Sequence, residues 1–176
     1  MGDSSPSIID AWRRGIAFRR KVRSAGLRIV RKGTLPVDAI QFRLRNLGPE
    51  TAFTVRRSPH YALLLWHRNG GVRFTVEEAG CHVFRQSQYY HWHVMLRGFH
   101  HPRPDGWIEA MARRLLRLHD DIRDNGYRCR SVADRIAVFP ENNVWDGGHR
   151  LACLAMLGWQ EAPVVRLAPI RCRLSR

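Results

Sequence analysis

Long apolar runs are missing from this chain. No stretch of about eighteen uncharged apolar residues occurs, which argues against a membrane-spanning helix, and the first residues lack the apolar core of a secretory signal, so the expected location is cytoplasmic. Cysteine is sparse and unpatterned. Cys81, Cys129, Cys153 and Cys172 form neither CxxC nor CxxH spacing, which leaves no zinc ribbon and no disulfide framework and reads as reduced, structural thiols. Acidic residues are scarce as well, 15 against 30 basic ones, for a formal charge of +15. Lysine is nearly absent, with Lys21 and Lys32 beside 28 arginines. The positive excess points to an anionic partner (nucleic acid, anionic lipid or a phosphorylated substrate). An arginine skew of this kind also arises from genome composition, so charge does not choose among them.

What is present suffices for one core: 176 residues at 44% hydrophobic content predict a single globular domain with extensions. Residues 1–33 read as a basic N-terminal arm in which Arg13, Arg14, Arg19, Arg20, Lys21, Arg23, Arg28, Arg31 and Lys32 accompany Ile8, Trp12 and Ile16 at helical spacing. Such a helix either anchors to nucleic acid or a membrane surface, or lies solvated with its apolar stripe on the domain; the second is favoured. From Thr34 the pattern changes. Ile40, Phe42 and Leu44 alternate with polar residues and predict a half-buried strand, opening an α/β domain over 34–176.

Phe53 and Val55 suggest another extended piece, residues 61–66 a short helix, and Val72, Phe74 and Val76 a hairpin strand after the Asn69-Gly70-Gly71 break. Residues 79–105, rich in His, Tyr, Trp and Pro, have no clean period and read as an inserted loop. Ile108, Met111, Leu115, Leu118 and Ile122 then define one face of a helix over 106–125 that stops at Gly126. A strand over 135–139, a turn at 141–143, a strand at Val144-Trp145, a helix over 149–157 stopped by Gly158 and a strand over 163–167 complete the reading.

Asp146-Gly147-Gly148 falls at the second strand-to-helix junction, where two residues without Cβ let backbone amides approach an anion. The helix that follows adds unpaired N–H groups, and Arg150 in its first turn can supply a bidentate guanidinium. The alternative is a plain Gly-Gly turn with an aspartate cap, and spacing alone weighs the two equally.

The run from Asp146 to Trp159, with Pro163-Val164-Val165 after it and the helix from Leu118 to Gly126 before it, resembles the ParB/sulfiredoxin-like superfamily. The resemblance covers about 105–167 well and 34–76 loosely. It implies an α/β (α+β) fold, a small mixed sheet flanked by helices. Sulfiredoxins carry a nucleophilic cysteine just before the His-Arg pair, and here that position is Gly148, so sulfinic-acid reduction is not expected. Partition ParB proteins bind CTP and append DNA-binding and dimer domains, and this chain ends soon after its last strand. The superfamily's free serine kinases carry Asp-Gly-His-His-Arg, which matches Asp146, Gly147, His149 and Arg150, with Gly148 in place of the first histidine.

By that resemblance Gly147, Gly148 and Arg150 hold the phosphates of ATP or ADP (CTP in the ParB manner). Asp146 acts as general base or holds Mg²⁺, and His149 donates to a phosphate oxygen or steadies Asp146. The kinases also use an upstream glutamate. The comparable segment here is Ser58-Pro59-His60-Tyr61, with Tyr61 in the carboxylate's place. His60 can serve as base in its stead, as can Glu50, Glu77 or Glu78 from elsewhere, while Arg57 and Ser58 remain candidates to face the ligand. His91-Trp92-His93 and His100-His101 invite a metal reading that lacks a third ligand, and stacking aromatics of a substrate loop explain them equally well. The expected function is nucleotide binding with Mg²⁺-dependent phosphoryl transfer to a small hydroxylated metabolite or sugar. The alternatives are a nucleotide-sensing DNA- or RNA-binding module that uses the basic arm, peripheral membrane contact through the same arm, and an inactive scaffold. Oligomeric state is not legible.

Overall fold

A computed structural model of the chain describes residues 8–43, 52–70, 84–85, 87–99 and 106–170. The elements in order are α1 (Ile8–Ser24), β1 (Leu27–Pro36), β2 (Gln41–Phe42), β3 (Phe53–Thr54), α2 (Pro59–Arg68), α3 (Gln88–Phe99), α4 (Trp107–Asn125), β4 (Ile136–Val138), β5 (Val144–Asp146), α5 (Gly148–Met156) and β6 (Glu161–Pro169). Short 3-10 turns lie at 37–39, 55–57 and 132–134.

β6 organises the main sheet. Its apolar run Ala162, Val164, Val165 and Leu167 is buried, as a strand with neighbours on both sides requires. β1 pairs antiparallel along one side of β6 and β4 pairs parallel along the other; β5 closes a hairpin on β4, giving the order β1-β6-β4-β5. This is an α+β fold with a mixed sheet, and β2 and β3 form a separate two-stranded ladder.

The period-two alternation sorts the core into two layers. Ile136, Val138 and Val164 face α2, α4 and α5, and all six residues from Leu151 to Met156 of α5 are buried there. Ala137, Val165 and Leu167 face the opposite way, where Phe18 and Val22 of α1 cover them together with Leu27 and Val132. α4 runs over the residues its periodicity predicts and ends at Gly126, whose φ of 72° an L side chain adopts with strain. Among the described residues no helix is long and apolar enough to cross a membrane.

Three sequence expectations need correction. The strand of the N-terminal region is not centred on Ile40–Leu44: β1 occupies 27–36, β2 is limited to two residues, and Leu44 lies outside the described residues. A boundary between 33 and 34 therefore cuts β1, and the basic arm is a helix leading directly into the main sheet. Arg28, Arg31 and Lys32 hid this strand because they project from its exposed positions.

The buried stripe of α1 is Ala11, Gly15, Phe18 and Val22, whereas Trp12 is 66% exposed. Small residues let the helix sit close: a Cβ at Gly15 would stand 3.9 Å from both Ser131 and Val132. Finally, the expected loop over 79–105 contains the twelve-residue helix α3, which buries Tyr89 and His93, four residues apart on one face. The strand expected at Val72, Phe74 and Val76 lies outside the described residues, as do Cys81, Cys172, Glu50, Glu77, Glu78, His100 and His101.

Candidate functional site

The β5–α5 junction is built as the sequence suggests, but its parts are engaged with one another. Asp146 Oδ1 accepts the Gly147 N–H at 2.7 Å and its Oδ2 takes the Lys21 ammonium at 2.7 Å. Lys21 is held there by the Trp145 ring as well, 5.1 Å from Nζ to the centroid. Asp146 is not the helix cap; that position belongs to Gly147, at φ 94°.

Both glycines answer to the chain's own packing. A Cβ at Gly147 would come within 3.2 Å of the Ile136 Cα, and one at Gly148 within 2.9 Å of the Phe42 ring. The naked approach expected for an anion at Gly148 is thus occupied by an aromatic edge. Arg150 donates one guanidinium N–H to the Arg135 carbonyl at 3.0 Å, which fixes its direction beside the tip of α5. The first helical bond runs from Leu151 N to Gly147 O, so the N–H groups of Gly148, His149 and Arg150 precede the helix's own acceptors.

His60 and His149, far apart in sequence, meet. Their ring centroids are 5.1 Å apart. His60 enters from the first turn of α2, stacked on Phe42 at 5.3 Å, and lies 5.4 Å from Tyr89 and 5.9 Å from His93. The Tyr89 hydroxyl is 3.1 Å from His149 Nε2, and His93 packs on Tyr89 at 4.4 Å and on Trp107 at 5.5 Å. His60 Nδ1 is buried and has no hydrogen-bond partner among the described residues. Leaving such an atom unsatisfied costs roughly 1–3 kcal/mol, so its retention calls for an explanation.

Electrostatics keep His60 and His149 neutral. Burial above all, then His149 and His93, lowers the His60 pKa well below the ordinary imidazole value. Burial, His93, Arg114 and Arg150 bring His149 down to about 4 against a weak opposing pull from Asp146. Burial raises the Tyr89 pKa, so this phenol stays protonated. At neutral pH the site offers uncharged imidazoles and a hydroxyl beside a positive helix end.

The other expected residues fall differently. Ser58 is fully buried as the N-cap of α2, accepting the Tyr61 N–H at 3.2 Å, so its hydroxyl oxygen holds the helix start that presents His60. Arg57 is exposed on the preceding 3-10 turn, and its neighbour Arg56 pairs with Asp38 at 3.0 Å. Asp146 does not fit the metal role as arranged, since Gly147 and Lys21 engage both of its oxygens. Among the described residues no group of three His, Cys, Asp or Glu has the placement to hold a metal ion. Sequence reasoning noted His93 as a metal candidate and Tyr89 as a stacking aromatic, but not the helix that brings both to His60 and His149. Their four-residue spacing is visible, but aromatic and histidine residues crowd every side of that helix and blur its period.

Set against known proteins, the chain matches no family model, no curated protein and no solved structure.

Proposed function

We propose that this chain binds a nucleotide by its phosphates at the start of α5 and passes a phosphoryl group to the hydroxyl of a small metabolite or sugar, on the plan of the ParB/sulfiredoxin-like proteins. The observation that carries the reading is the buried Nδ1 of His60, without a hydrogen-bond partner among the described residues and in ring contact with His149 at the first turn of that helix. An anion at the tip meets the N–H groups of His149 and Arg150 and the positive end of the helix dipole. The Arg150 guanidinium, oriented through the Arg135 carbonyl, neutralises charge on the phosphoryl oxygens.

In the transfer step the acceptor oxygen attacks the terminal phosphorus and the bond to the leaving nucleotide oxygen breaks. His60 takes the hydroxyl proton. Its low proton affinity when the site is empty rises once an anion stands beside it, which moves it toward the range a general base needs. ATP or ADP is the donor, CTP the competing base, and Mg²⁺ arrives on the nucleotide's phosphates; no step is assigned to a metal held by Asp146.

A thermal-shift series with ATP, ADP, CTP and GTP, each with and without Mg²⁺, tests the binding. Ligand at a hundred times its Kd stabilises by about 2.7 kcal/mol, a readily measured rise in Tm. Unchanged melting across all four sinks the proposal. Phosphorus NMR with hydroxylated acceptors then separates enzyme from inactive scaffold: His60→Gln is expected to keep nucleotide stabilisation and lose the phosphorylated product.

A further inference from the structure

α1 carries a second surface that the α5 site does not use. Between it, β1 and the residues ahead of the 132–134 turn lies a groove of about 590 Å³ lined by Trp12, Ile16, Arg19, Lys32, Arg130 and Ser131, among others. That volume is in the range of ligand-binding clefts. Trp12 stands at this groove two-thirds exposed, an unusual placement for the largest apolar side chain. The cations around it come from three separate elements, and Arg19 and Lys32 form no ion pair among the described residues.

Acidic residues are few in this part of the chain. From Ile8 to Pro36 there are nine basic residues and one acid, Asp10. Two acids from other elements reach α1 and both are engaged: Asp134 with the Ser131 N–H at 2.7 Å, the Ser131 hydroxyl at 2.9 Å and Arg14 at 3.6 Å, and Asp146 with Lys21 at 2.7 Å. Arg13, Arg20, Arg23, Arg28 and Arg31 extend the exposed positive surface beyond the groove.

We infer that this groove takes a single-stranded nucleic acid, one base stacked on Trp12 and the flanking phosphates on Arg19, Lys32 and Arg130. An aromatic face among cations is how strands are held without sequence preference, because every base has a π-face and every linkage a charge. A duplex has no free base face to offer Trp12. A bilayer is flat, whereas these cations converge on a concave space from a helix, a strand and a loop. None of the residues of the α5 site is involved, so this inference stands or falls apart from the proposed phosphoryl transfer.

Fluorescence anisotropy of fluorescein-labelled dT12 and rU12 with the full chain, between 50 and 200 mM NaCl, tests it. Three phosphates neutralised on a single strand give a loss of about twentyfold over that salt range. Trp12→Ala is expected to weaken binding about fivefold or more with the salt slope kept. Arg19→Glu with Lys32→Glu is expected to flatten the slope. The reference variant Arg68→Glu with Arg117→Glu reverses two exposed charges on helices across the sheet from α1, and leaves binding largely intact. The inference is overturned if the reference variant loses as much as the groove variant, if Trp12→Ala binds like the parent, or if unlabelled duplex competes as well as single strand. It is also overturned if Trp12-dependent binding is seen with phosphatidylcholine–phosphatidylglycerol vesicles and not with the oligonucleotides. Trp12 is an exposed residue, and unchanged circular dichroism and melting of its variant confirm that a loss of binding is local.

Discussion

The imidazoles of His60 and His149 lie 5.1 Å apart, each in the first turn of its own helix, with Phe42 stacked on one and the Tyr89 hydroxyl bonded to the other. Two neutral bases are brought together in a place water does not freely enter, and their protonation is coupled to folding.

The first consequence concerns pH. Both histidines have folded pKa values below the unfolded value near 6.5, His149 at about 4. The unfolded chain therefore binds more protons than the folded one between these limits, and stability falls as pH drops. Melting temperature is expected to be level above about pH 7 and to decline from 6.5 toward 4. The His149 share is on the order of 3 kcal/mol. In His149→Gln a pH series of thermal melts should show a visibly shallower decline; an unaltered profile would place the proton uptake elsewhere.

Gly148 is tested by size. Alanine there drives a Cβ to within 2.9 Å of the Phe42 ring, and overpacking of this kind costs about 1–3 kcal/mol in a urea melt. Adding Phe42→Leu should recover part of the loss. Alanine at Gly147 meets backbone at 3.2 Å on a φ of 94°, so no side-chain substitution at Ile136 should rescue it.

Tyr89→Phe removes the hydroxyl next to His149 Nε2 and leaves a partly buried nitrogen without its partner. A loss of about 1–2 kcal/mol is expected from urea unfolding, with the ring packing on His93 retained. If stability is unchanged, the 3.1 Å contact contributes nothing to folding.

The Lys21–Asp146 ion pair, though short at 2.7 Å, joins side chains 60% and 33% exposed. Solvent screening limits such a pair to less than about 1 kcal/mol. A double-mutant cycle with Lys21→Met and Asp146→Asn should return a coupling within that bound, and raising salt should reduce it.

Cys153 is buried, its thiol pKa pushed up to about 12 by desolvation, and its Sγ lies 3.9 Å from the Leu115 carbonyl. The folded chain is expected to leave Cys153 unmodified by a thiol-specific disulfide reagent, with labelling only in denaturant. Peptide mapping by mass spectrometry reads this site directly.

Legibility from sequence divides near residue 106. Beyond it the signals are plain: α4 has one buried face and one wet one, β4 and β6 are short apolar runs buried on both faces, and Gly126 and Gly158 stop the helices. Before it, the extended piece at Phe53 and the helix over 61–66 are found as expected in β3 and α2, but the other signals mislead. β1 mixes Leu27 and Ile29 with arginines and a lysine, α1 packs through Ala11 and Gly15 while its tryptophan stays out, and α3 is aromatic all round. The site shows the same limit. Asp146, Gly147, Gly148, His149 and Arg150 were found because they are contiguous, and His60 through a resemblance, but Tyr89 and His93 join only in three dimensions. The reason for Gly148 was equally invisible, since Phe42 lies on a distant strand.

β1 lies along the outer side of β6 from Leu27 opposite Pro169 to Pro36 opposite Glu161. A chain begun at residue 34 would strip most of that cover, leaving a valine-rich strand with a bare row of amides and carbonyls ready to recruit a second copy, and such a fragment should aggregate. In the intact chain the outermost strand presents Arg28, Arg31 and Lys32 instead. The surplus of positive charge thus acts as a guard rail: two molecules approaching edge to edge repel before their backbones can zip.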